Sequence, residues 1–395
     1  MLAESSRTWW LVVLAGIAFG VAPVTSHRLA IRVEPATAAR FEDVWAEHAD
    51  GADVVVSNVE LAELARRGVH YRVIVDDVDA AAESERARLA HRASKDWFAE
   101  YRDGTELDAF LDRLAARHPS TVKVRAAGRS HEGRAIRAIE VSRGGAIPIV
   151  IDGGHHAREW LSVMVPACIA DRLARAEDPR VDRVLRSVRF VIAPLVNPDG
   201  YAYSWTTDRY WRKNRHGDGV DLGRNYSVGW GGAGSSGDPR SPNYRGEYAF
   251  SEPEARALRT LFDAEHVAAH VDIHAYSQVI VYPWSHQRAE PKDAKAFAAI
   301  AERMRAAIAG THGVAYDVRP GSTLKRGAGG TAGDWSYGER GALSFLVELR
   351  PASAREGGFV VPPEQIVPTC DETLNAVVAL AESVIERERA GQGGE

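Results

Sequence analysis

Four short apolar runs constrain the fold of this chain more than any other feature. They span residues 148–152, 188–195, 268–274 and 343–349, and helical sequence separates them. Short continuous apolar runs of this kind read as strands buried on both faces. Strands that alternate with helices specify an α/β architecture, here a mixed and largely parallel sheet covered by helices on each side. In such sheets a ligand site forms beyond the strand ends, near a switch in strand order. The polar residues that close these runs are therefore the first place to look for chemistry.

The 395 residues leave room for one large domain and one small one. After Arg7, the thirteen residues 9–21 are apolar and uncharged, a length suited to a signal-peptide core and short for a membrane span. Val24, Thr25 and Ser26 follow as a cleavage site. Residues 1–26 are thus expected to be a signal peptide, and the protein to be secreted or extracytoplasmic without stable membrane insertion. Residues 27–95 form a separate small unit, with strands at 29–33, 52–57 and 70–75 and helices at 36–45 and 60–67. This β-α-β-α-β order suits a small ferredoxin-like α/β sandwich. Residues 79–95 are polar and helical and carry Arg86, Arg88, Arg92 and Lys95, either as a solvated linker or as a segment a trypsin-like protease would cut. Residues 96–389 make the large domain and 390–395 a disordered tail. A net charge of −5 gives no basic footprint, so nucleic acid is not an expected partner. A monomer is expected. Cys168 and Cys370 fall in apolar, helical-looking segments and read as two buried thiols in preference to a bridge.

The run 148–152 leads directly into Gly153-Gly154-His155-His156-Ala157-Arg158-Glu159-Trp160, a strand arriving at a tight turn. His156 and Glu159 are three apart, so one turn of chain aims both side chains at one point. An imidazole and a carboxylate converging this way are two of the three protein ligands of a catalytic zinc site. A third should come from another strand terminus, and His274 closes the run that contains His270. About 13 Å of strand separates those two, so both cannot hold one ion, and His270 reads as a mid-strand histidine satisfied locally. Glu348, at the end of the run 343–349, is costly to bury unless it is paired or working. It is either an ion-pair partner of Arg350 or a proton acceptor for a water activated by the metal. Arg212 and Arg224 each lie among aromatic residues, where a guanidinium can stabilise an oxyanion or grip a carboxylate.

Taken together, these residues resemble the zinc metallocarboxypeptidases of the pancreatic carboxypeptidase A/B type. The likeness runs from about residue 29 to 386 and includes Asn197-Pro198-Asp199-Gly200-Tyr201, Tyr210-Trp211-Arg212-Lys213, residues 221–225, Ile273-His274-Ala275-Tyr276-Ser277-Gln278 and residues 345–350. It implies an eight-stranded mixed sheet preceded by an activation segment at 27–95, in a secreted zymogen switched on by a trypsin-like protease. It implies one Zn2+ per chain held by His156, Glu159 and His274, with Asp221 orienting His156. Glu348 would serve as general base and then acid, and Arg212 would stabilise the oxyanion. Arg224 would bind the free C-terminal carboxylate of a peptide or protein, while Arg158 and Tyr276 would line neighbouring substrate subsites.

The chain departs from the family pattern twice. Gly223 stands where the family usually has Asn, and Arg326 (or Lys325) where it carries a mobile tyrosine. A cation there would compensate for Gly223 by meeting the substrate carboxylate. Gly333, the position that distinguishes apolar from basic preference in relatives, is uncharged. With Ala332 and Leu346 it suggests a roomy pocket for aromatic or aliphatic C-terminal residues, whereas Lys325 or Arg326 would favour acidic ones. A catalytically weak, peptide-binding relative is the alternative reading.

Overall fold

The computed structural model describes residues 28–392, apart from 39, 42, 49, 92–95 and 264–265. The expected signal peptide lies outside these residues. The N-terminal unit runs β1 (Arg28–Val33), α1 (Pro35–Ala38), β2 (Val44–His48), β3 (Gly51–Ser57), α2 (Asn58–Arg66), β4 (Tyr71–Val75) and α3 (Val78–Ala90). Its four strands pair antiparallel in the order β2-β3-β1-β4. This is a ferredoxin-like sandwich, with a β-α-β-β-α-β order. The helix expected at 36–45 is only one turn long, and Val44–His48 is a strand instead. Tertiary packing overrides the helical pattern there. Trp45 leaves its own unit to stack on Tyr210 at 5.1 Å and to meet Phe359 edge-on at 4.9 Å.

The large unit contains α4 (Gly104–Arg117), β5 (Val122–Arg129), β6 (Ala135–Val141), β7 (Ile147–Gly153), α5 (Leu161–Arg175), α6 (Pro179–Leu185), β8 (Val188–Ala193) and α7 (Pro198–Thr206). It continues through α8 (Pro253–Asp263), β9 (Ala269–Ala275), β10 (Val279–Tyr282), α9 (Ala294–His312), β11 (Asp317–Pro320), α10 (Ala332–Gly338), β12 (Leu343–Leu349) and α11 (Ile366–Gln392). The eight strands form one mixed sheet in the order β11-β10-β12-β9-β7-β8-β6-β5. Its centre, β12-β9-β7-β8, is wholly parallel. Period-2 alternation along the central strands feeds two cores. Ile149 and Ile151 of β7 pack with α5, α9 and α11 on one face, while Val150 joins Leu258, Phe262 and Trp335 from α8 and α10 on the other. α11 continues to Gln392, so residues 390–392 of the expected tail are helical, and 393–395 lie outside the described residues.

Cys168 of α5 and Cys370 of α11 form a disulfide, with Cα atoms 6.0 Å apart and a sequence separation of 202. This corrects the reading of two free thiols. Their apolar surroundings fitted either state, and only the packing of α11 against α5 brings them together. By the chain-entropy estimate, a cross-link closing so long a loop stabilises the fold by on the order of 5 kcal/mol. Reduction, or a Cys168→Ala/Cys370→Ala pair, should lower the melting temperature by roughly 5–10 °C in differential scanning calorimetry. An unchanged transition would mean that the bridge constrains nothing the packing does not already hold.

Candidate metal centre and active site

Three neighbouring parallel strands end at one place. In β9 and β12, His274 and Glu348 are register partners, and Gly153 at the end of β7 pairs with Ile273. β7 must then turn sharply towards α5. A Cβ on Gly153 would meet the carbonyl oxygen of Ser162 at 2.0 Å, and Gly154 has a φ of +66°. These glycines let the turn close so that His156 and Glu159 reach the end of β9. The turn is fixed by Glu159 N–H donating to His156 O at 3.1 Å and Ala157 N–H donating to Arg212 O at 3.0 Å.

The three donors converge in a buried cluster. His156 Nδ1 lies 2.7 Å from Glu159 Oε1, and His274 Nδ1 lies 3.1 Å from both Glu159 Oε2 and His156 Nδ1. The outer ring nitrogens face carboxylates: His156 Nε2 is 3.1 Å from Asp221 Oδ1, and His274 Nε2 is 2.9 Å from Asp272 Oδ1. Those contacts assign the protons to Nε2 and leave both Nδ1 lone pairs aimed at the same point as Glu159. Two imidazole lone pairs and a carboxylate packed this closely repel unless a cation lies between them. The donor set and its spacing fit zinc, whose ligand distances are about 2.0–2.1 Å. A second cluster, His155, Asp272 and His274, lies behind the first. Its His155 Nδ1 lies 3.2 Å from Asp152 and 3.3 Å from Asp272, and its Nε2 is 2.8 Å from the Tyr226 hydroxyl, so the cluster backs the ligands. His270 is satisfied locally, as expected, by Ser336 and Asp152.

The electrostatics favour positive charge at the donors. Burial opposes ionisation of Glu159, but His156 and His274 hold it below the usual carboxylate range. Burial, and then the Arg212 charge, keep His156 below its ordinary value. Against burial, Asp272 and Glu159 raise His274, and the same carboxylates would stabilise a bound dication. Burial and then Glu159 push Glu348 up to about 8. Glu348 forms no ion pair with Arg350, which turns away to Glu372, to which its Nε donates at 3.0 Å. Glu348 instead faces the cavity lined by His156, Glu159 and His274.

Of the other expected site residues, Arg212, Gly223, Arg224, Tyr276 and Arg326 line the same cavity. Asp221 lies just behind it, with Oδ1 on His156 and Oδ2 accepting from Arg212 Nη2 at 2.9 Å. One carboxylate thereby orients a metal-ligand candidate and a cavity guanidinium. A Cβ on Gly223 would stand 3.0 Å from His156 Nε2, so any larger residue would have to displace that ring or itself. The Tyr276 hydroxyl is buried without a hydrogen-bond partner. Arg158 is beside the cavity rather than on its wall, bonded through Nη1 and Nη2 to Asp43 at 3.0 and 2.9 Å. Gly333 is also off the wall; its missing Cβ would point at Ser344 Oγ, 3.2 Å away. Two partners were missed from sequence. Asp272 could have been found, because it shares a strand face with His274 two residues on; Asp43 sits in a segment whose strand depends on tertiary contacts and gave no signal.

Residues 107–376 match the zinc carboxypeptidase family. Zinc carboxypeptidase A 1 of Anopheles gambiae is 32% identical, over 96% of each chain. Carboxypeptidase B of Astacus astacus is 36% identical, over 73% of this chain and 98% of its own. The crystal structure of carboxypeptidase A from Helicoverpa armigera superposes with a TM-score of 0.83 at 27% identity, covering 91% of this chain and 98% of that one. With the sheet, the buried His-Glu-His cluster and the facing glutamate already in place, this chain belongs to the zinc carboxypeptidase family, metal-dependent hydrolases of peptide bonds.

Proposed function

We propose that this chain is the proenzyme of a secreted carboxypeptidase that removes the C-terminal residue of peptides and proteins. The observation that carries the proenzyme reading is the N-terminal unit lying across the cavity. Asp43 occupies Arg158, Phe41 O accepts from Arg326 Nη1 at 2.7 Å, and residues 44–47 line the cavity itself. The Cys168–Cys370 bridge supports export to an oxidising compartment, and no described helix is long and apolar enough to cross a membrane. Residues 86–95, on and after the exposed end of α3, are the proposed cleavage segment for a trypsin-like protease.

Each side chain has a role that follows from its contacts. A zinc ion held by His156, Glu159 and His274 would supply Lewis acidity to the scissile carbonyl and to a water. Glu348, unpaired and facing the cavity, takes the proton of the attacking water on its carboxylate and passes it to the leaving amine nitrogen. Arg212, fixed by Asp221, faces the developing oxyanion. Arg224 is held by Gly234 O at 2.9 Å and Gly223 O at 2.8 Å, which leaves donors for the terminal carboxylate. Arg326 stands beside it and supplies a hydrogen bond that Gly223 lacks. Anchoring that carboxylate restricts cleavage to the last peptide bond. The pocket beyond has apolar walls from Val281, Leu324 and Leu346, which support entry of an aliphatic or aromatic side chain.

The test is release of C-terminal residues from a mixed peptide set after trypsin treatment, with and without a zinc chelator. Chelator-sensitive release is expected only after cleavage. Glu348→Gln should lower kcat by about 10²–10⁴-fold while the zinc content measured by mass spectrometry stays at one per chain. Zinc bound without release from any peptide by the wild type would favour the peptide-binding alternative.

Asp43→Asn should raise the activity of the uncleaved chain towards a small peptide, read before any protease is added. Burial works against the Asp43 charge, but Arg158 and then Arg212 hold its carboxyl below the usual value. Its contribution to closure is therefore in force above about pH 4 and is lost as the pH falls through the depressed value. The gain from Asp43→Asn should be seen at neutral pH and shrink in acid. Equal latency of variant and wild type at neutral pH would remove Asp43 from the closure.

A further inference from the structure

The pocket beyond the proposed scissile bond carries a cation with no assigned role. Arg319 is on β11, and strand register places it in one row with Val281 of β10, Leu346 of β12 and Asp272 of β9. All four line the cavity. Only β10 lies between β11 and β12, so two strand spacings set the Cα atoms of Arg319 and Leu346 about 10 Å apart. A guanidinium reaching inwards from β11 thus closes the far end of a pocket whose nearer wall is apolar.

What distinguishes Arg319 from the other cavity arginines is the absence of a partner. Arg212 is bonded to Asp221, Arg224 to backbone carbonyls and Arg326 to Phe41 O. The Nε of Arg319 is buried and meets no acceptor, and among the described residues no carboxylate pairs with its guanidinium. A buried donor left unmade is costly, and the cost disappears when an incoming acceptor fills it. The N-terminal unit already brings a carboxylate to this cavity: Glu47 is on its wall, with Oε2 accepting from Lys325 N–H at 3.2 Å.

We propose that Arg319 is a specificity-determining residue that selects substrates ending in an acidic residue, glutamate foremost. The apolar row accepts the methylenes of such a side chain and Arg319 its carboxylate, in a charge-assisted pair. Aspartate, one methylene shorter, reaches less far. The inference rests on the carboxypeptidase reading above, and it adds a charge to a preference that the walls alone would leave to aliphatic and aromatic residues.

The experiment compares matched peptides ending in Glu, Gln, Asp, Leu, Phe and Lys on trypsin-treated full-length protein. Glu should exceed its neutral isostere Gln in kcat/KM by at least about tenfold. Arg319→Gln should erase that ratio and leave Leu and Phe within about twofold, while Arg319→Lys, which keeps the charge, should retain part of it. Calorimetric binding of the Glu and Gln peptides to chelator-treated protein reads the same discrimination without turnover. Release of Leu or Phe in preference to Glu, with a ratio indifferent to Arg319→Gln, would overturn the inference and leave the carboxypeptidase reading standing. Release from none of the six would overturn both.

Discussion

The register of three parallel strands is the constraint on which the rest of this structure depends. With β12, β9 and β7 hydrogen-bonded side by side, His274 and Glu348 are opposite one another and the His156–Glu159 turn emerges beside them. A slip of one residue would send each side chain to the other face of the sheet. The apolar residues alternating on both faces oppose that slip, because each face has its own helices to satisfy. Core packing and site geometry are in this sense one requirement: the burial that fixes the register also fixes the separation of the donors.

Around the donors the protein concentrates buried charge. Asp221 and Asp272 each hold the outer nitrogen of one ligand-candidate histidine, and Asp152, His155 and His270 continue the layer beneath the sheet end. Buried carboxylates and imidazoles are tolerated here because groups of opposite charge lie within ion-pair distance of one another. Rigid support is the return. Imidazole rings held from behind by carboxylates cannot rotate freely, so the donor set keeps its shape without relying on loops.

Much of this was legible in the sequence, for physical reasons. Continuous apolar runs marked the central strands, and a buried-strand position makes an ionisable residue conspicuous, which is how His274 and Glu348 stood out. Gly153 and Gly154 followed by His156 and Glu159 are close in sequence, so local geometry sufficed. What escaped was set by contacts between distant segments. Residues 36–45 read as one helix, but Trp45 finds Tyr210 and Phe359 and Val44–His48 is a strand. Arg158 had a substrate role by resemblance, but its present partner, Asp43, is 115 residues away. Gly333 looked like a pocket residue by position in the chain, yet its open side faces Ser344.

The bridge between α5 and α11 has a consequence for how the protein is made. Cys168 lies nine residues beyond Glu159, on the helix that the ligand turn feeds, and its partner is Cys370. On a ribosome that helix is complete long before its covalent clamp can exist, since synthesis runs N-terminal first at about 5–20 residues per second. The scaffold of the metal centre is therefore among the early parts of the large unit to be translated and among the last to be locked.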